Sequence, residues 1–121
     1  MSQPKIKHQL VPIIVTSQGQ EIVIDAETDK LYNTVTGINA VMTSTTNRFS
    51  GLQLEINTVE IFPEKFEVLR VLFREQVPFG YEYHELEEKG GGTKIKGKYK
   101  DVYSGAVYPY TVVLSFRLEN L

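Results

Sequence analysis

The side chains able to do chemistry are few. The 121 residues contain no Cys and no Trp, and only two His, His8 and His84. Catalysis by an acid, base or nucleophile needs one such group held beside an orienting partner. His8 falls near the N-terminus and His84 between Tyr83 and Glu85, each in a setting that suits a solvated or hydrogen-bonded histidine. Ser17, Ser44, Ser50, Ser104 and Ser115 stand in neither an elbow nor an SxxK context. No nucleophile–base pair can be nominated, so the expectation is a protein that is not an enzyme and calls for no cofactor.

Two further motifs invite ligands and fall short of them. Asp25, Glu27 and Asp29 form a D-x-E-x-D run that could gather oxygen ligands for Ca²⁺, but an EF-hand loop has Gly at its sixth position and Glu at its twelfth. Here those positions hold Lys30 and Thr36. Acidic residues solvating a loop explain the run more simply. Gly90-Gly91-Gly92-Thr93-Lys94 looks like a phosphate loop, yet a period-2 strand pattern follows it where a helix should, so no helix N-terminus faces a phosphate. A turn is the expected reading.

Two residue patterns suit association better than turnover. Lys94, Lys96, Lys98 and Lys100 alternate with Thr93, Ile95, Gly97 and Tyr99, which puts lysine on one face of a strand. Glu82, Glu85, Glu87 and Glu88 stand nearby, and with 13 basic against 15 acidic residues the chain lacks the basic excess of a nucleic-acid binder. Lysine here is expected to protect a sheet edge or to form a protein interface. Six of the seven tyrosines lie between Tyr81 and Tyr110. Tyrosine is enriched where proteins meet, and Tyr81, Tyr83 and Tyr108 are the expected contact residues.

The elements that carry these residues are mostly strands. With 41% hydrophobic and 23% charged residues the chain can build one core, and no apolar stretch approaches the ~20 residues of a membrane span. Residues 1–8 read as a polar N-terminal arm and residues 9–121 as one domain. Gln9–Thr16 and Glu21–Asp25 read as two arms of a hairpin turning at Gln18-Gly19. Thr34–Thr45 is a long strand, and Leu52–Ile56 with Val59–Phe62 is a tight hairpin through Asn57-Thr58. Phe79–Glu88 and Thr93–Lys100 read as a hairpin in which Glu87 faces Lys94 and Glu85 faces Lys96. Tyr108–Glu119 alternates most cleanly and should be a central strand, with Leu114 and Phe116 inside. Residues 63–75 carry two patterns. Phe62, Phe66, Leu69 and Phe73 recur at helical spacing, while Glu67–Phe73 also alternates as a strand. Together these elements predict an all-β sandwich of about eight antiparallel strands.

Several stretches resemble a known group. Asp29–Met42 (DKLYNTVTGINAVM), Leu54–Phe73 (LEINTVEIFPEKFEVLRVLF), Gly92–Tyr99 and Tyr108–Asn120 are similar to segments of small single jelly-roll virion proteins of tailless icosahedral bacteriophages. The resemblance touches about half of the chain and transfers no functional residue. It implies a single jelly roll located in the virion, with residues 63–75 extended. It further implies a penton or minor capsid subunit that self-associates, as a pentamer or trimer, and contacts a larger coat protein. The alternative is a carbohydrate-binding or adhesion module on the same architecture, using the tyrosines as a stacking surface and a Ca²⁺ ion at Asp25 to Asp29 as an optional aid.

Overall fold

The computed structural model describes residues 5–43, 50–72, 83–102 and 107–121. They form eight strands: β1 (Ile6–Val15), β2 (Glu21–Glu27), β3 (Thr34–Met42), β4 (Gly51–Ile56), β5 (Val59–Phe62), β6 (His84–Lys89), β7 (Lys94–Lys100) and β8 (Tyr110–Glu119). Two antiparallel sheets result, β1-β8-β3-β6 and β2-β7-β4-β5. Apart from β4 and β5, consecutive strands fall in opposite sheets. This wiring is the jelly roll, two Greek keys folded into a sandwich.

Period-2 alternation explains which side chains lie between the sheets. Val112, Leu114, Phe116 and Leu118 of β8 are fully buried, as are Leu52, Leu54 and Ile56 of β4 and Ile95 and Tyr99 of β7. β8 is central, with β1 on one side and β3 on the other. In β3 the phase shifts once, because the ladder to β8 skips Thr36 between Val35 and Gly37. This bulge lets both Val35 and Ile38 face the core. β1 starts at Ile6, so Ile6, Lys7 and His8 pair with Glu119, Leu118 and Arg117; these three residues fall within the expected arm.

Two expected hairpins are not hairpins. β1 pairs with β8 and β2 with β7, so the turn at Gln18-Gly19 carries the chain from one sheet to the other. Five residues, Thr16–Gln20, separate the strands, too many for a two-residue hairpin turn. Likewise β6 pairs with β3, while β7 lies between β2 and β4. The glycine loop between β6 and β7 is held to the preceding crossover: Thr28 Oγ1 accepts from the amides of Gly92 and Thr93, both at 3.0 Å. The lysine stripe therefore faces acidic residues of β2, with Glu27 opposite Lys94 and Asp25 opposite Lys96, and not those of β6. It occupies an interior strand and protects no edge. The β4–β5 hairpin does form, with Asn57 and Thr58 both left-handed at φ 53° and 65°.

Residues 63–72 follow neither expected pattern; 73–75 lie outside the described residues. Glu67 bridges Gly51, Val68–Val71 makes one 3-10 turn, and Leu72 bridges Ala40. The helical spacing of Phe62 and Phe66 reflects a tight turn at Pro63 that stacks their rings 4.1 Å apart.

Strand β7 tolerates no side chain at Gly97, where a Cβ would lie 2.0 Å from the Gln53 carbonyl oxygen. Gly97→Ala is expected to force β4 and β7 apart and to destabilise as strongly as Phe116→Ala, which removes a fully buried ring at about 3–5 kcal/mol. Lys96→Ala, on the exposed face, should cost under about 1 kcal/mol. Chemical denaturation of the three variants checks this order.

Candidate interaction surface

The outward face of sheet β1-β8-β3-β6 divides into a polar and an apolar half. Its polar half centres on Arg117. The guanidinium donates to Thr36 Oγ1 at 3.0 Å, to the Thr36 carbonyl at 2.9 Å and to Glu85 Oε2 at 2.5 Å. Thr36 in turn donates to Glu119 Oε2 at 2.6 Å, so the bulge residue presents its hydroxyl between the cation and a carboxylate. The Tyr83 ring lies under Arg117, 5.2 Å from centroid to Cζ, and its hydroxyl bridges His8 Nδ1 (2.6 Å) and Ser115 Oγ (3.0 Å). Gly37 leaves the space for this stack, since a Cβ there would meet Tyr83 Cβ at 3.1 Å and Arg117 Cζ at 3.2 Å.

The apolar half lies toward the other end of the same strands. Pro12 of β1, Val113 of β8 and Val41 of β3 form one lateral row, flanked on β1 by Leu10 and Ile14. Leu10 is 62% exposed, Ile14 60% and Val41 50%. Neighbouring apolar side chains left in water on adjacent strands mark a contact surface more often than scattered ones do.

The three expected contact tyrosines separate. Tyr81 lies outside the described residues. Tyr83 is half-buried under Arg117, and Tyr108 is half-buried beyond the other end of β8. Tyr83 sits level with Ser115, so about seven residues of strand, roughly 23 Å at ~3.3 Å each, separate the two. Tyr108 donates to Asp101 Oδ2 at 2.6 Å, the Gly19 amide donates to the same oxygen at 2.9 Å, and Tyr110 donates to Oδ1. The Tyr110 hydroxyl also lies 2.9 Å from that of Tyr99. Asp101 is 2% exposed, and this carboxylate with three tyrosines links the ends of β7 and β8 to the β1–β2 turn. Sequence reading missed it, although the signal was an aspartate directly after an alternating strand with Tyr108 and Tyr110 at the entry to the next.

On the other sheet the charges interleave. Lys94 and Glu27 approach to 3.5 Å, as do Lys98 and Glu21. Asp25, Glu27 and Asp29 do not converge. Asp25 and Glu27 face lysines of β7, while Asp29 is paired with Lys7, whose hydrogen bond lowers the carboxyl pKa and raises that of the ammonium. Among the described residues no three His, Asp or Glu are grouped as metal ligands.

Comparison with protein-family models, with curated proteins and with solved structures yields no match to this chain.

Burial raises the pKa of Tyr99 and, more strongly, that of Tyr110, where the bond to Asp101 adds to the effect. Folded hydroxyls that hold their protons above the usual tyrosine value near 10 favour the folded state fully below that pH. Stability should therefore fall as pH rises above about 10. Tyr110→Phe leaves the buried Asp101 carboxylate short of a donor and should cost about 1–3 kcal/mol at pH 7 while flattening the alkaline fall. Denaturant titrations from pH 7 to pH 11 on both proteins check it.

Proposed function

We propose that the protein is a structural subunit of a virion. It acts by associating with copies of itself and with a larger coat protein, as a penton or minor capsid component. The observation that carries this reading is the apolar patch in which Leu10, Pro12, Ile14 and Val41 stand open to water around a half-buried Val113 on one outward sheet face. The jelly-roll strand order supports it, and so does the resemblance of four sequence stretches to small phage virion proteins. Such a subunit requires a rigid sandwich and surfaces that neighbours cover, and no active site.

Magnitudes say how far the row goes. Burying the exposed part of Leu10, Ile14 and Val41 is worth about 1–2 kcal/mol each. Association costs about 4–15 kcal/mol in lost freedom, so the row contributes to a contact that needs further bonds.

Sedimentation velocity over a concentration series is expected to show wild-type protein above monomer mass. Leu10→Asp with Val41→Asp should return it to monomer with an unchanged circular dichroism spectrum. A wild type that stays monomeric at every concentration and binds glycans would replace this reading with the carbohydrate-binding one.

A further inference from the structure

We infer that copies of this chain join edge to edge within one sheet, the β1 edge of one copy adding to the β6 edge of the next. The inference rests on the self-association proposed above and adds an edge contact to the face contact made by the apolar row. Among the described residues β1 and β6 are the two outer strands of their sheet, each paired on one side only. β1 is ten residues long, beyond the usual five or six, and an edge strand of that length is a template for another chain. Its Pro12 is the kind of residue a sheet accepts at an edge.

Strand direction fits this addition. All three pairings in β1-β8-β3-β6 are antiparallel, so β1 and β6 run in opposite senses. A second copy laid alongside with the same polarity sets its β1 antiparallel to the first copy's β6, and the alternation continues without a break.

Charge selects this arrangement over β1 on β1. Residues 5–15 carry Lys5 and Lys7 and no carboxylate, whereas β6 carries Glu85, Glu87 and Glu88 against Lys89. The registers place these charges in matching rows. Lys7, Leu118, Val35 and Glu88 form one row across the sheet, and His8, Arg117, Gly37 and Glu85 form another. Each row starts on a basic residue and ends on an acidic one. Moving a copy sideways, with no shift along the strands, sets Lys7 opposite Glu88 and His8 opposite Glu85 of its neighbour. Glu88 makes no salt bridge among the described residues. Lys7 already meets Asp29, and its ammonium has donors left for a second carboxylate. The contact is head-to-tail, and it closes into a ring wherever the rotation between copies permits.

Glu88→Lys makes both edges basic, and Lys7→Glu makes both acidic. Each variant alone should need at least about tenfold more protein to associate than wild type, because like charges then meet across the joint. Mixed in equal amounts, the two should associate again, since each supplies the edge the other lacks. Such rescue also shows that both variants are folded. Glu88→Lys breaks no ion pair among the described residues of its own copy, so its association midpoint carries the test if Lys7→Glu proves unstable. A wild type that associates while Glu88→Lys associates equally well would overturn the edge-to-edge joint and leave the proposed function standing. A wild type that never associates would overturn both.

Discussion

The buried carboxylate of Asp101 is the contact on which the two-sheet arrangement most depends. β7 and β8 are interior strands of different sheets, and residues 101–109 link them in sequence. Asp101 directly follows the first strand and accepts hydrogen bonds from the hydroxyls of Tyr108, just before the second strand, and Tyr110, at its start. The Gly19 amide brings the β1–β2 crossover to the same carboxylate. A carboxyl group 2% exposed survives only when its oxygens are hydrogen-bonded, and Tyr108, Tyr110 and the Gly19 amide donate to it. One residue thus fixes two of the crossovers that make the sandwich a jelly roll.

With the crossovers fixed, the two outward faces take different characters. Sheet β2-β7-β4-β5 sets the lysines of β7 between Glu21, Asp25 and Glu27 on one side and Glu55 on the other, so its charges are largely answered within the molecule. Sheet β1-β8-β3-β6 locks Arg117 among Thr36, Glu85 and Tyr83 and leaves an apolar row and two strand edges for a neighbour. The proposed association uses that second sheet, and the apolar row alone is too small to supply it.

Much of the fold was legible because alternation states directly which face of a strand is buried. β4, β7 and β8 follow from their residues, as do the core positions of Leu114 and Phe116. Pairing was less legible. The glutamates of β6 and the lysines of β7 suggest a hairpin, but Glu21, Asp25 and Glu27 of β2 match the same lysines equally well, and local sequence cannot choose between them. The bulge at Thr36 hid which parity of β3 points inward. The Arg117–Tyr83 stack joins residues more than 30 positions apart, and the Asp101 knot joins tyrosines a loop away to Gly19, 82 positions away, so only the folded chain brings them together.

Amide hydrogen exchange, compared well below and well above the association concentration, tests the proposed joint most directly. Association should slow exchange at the outward amides of β1 and β6 together, Pro12 having none to protect, and leave the exposed face of β7 unchanged. New protection confined to β2, β7 and β4, with β1 and β6 exchanging as in the free subunit, would contradict it.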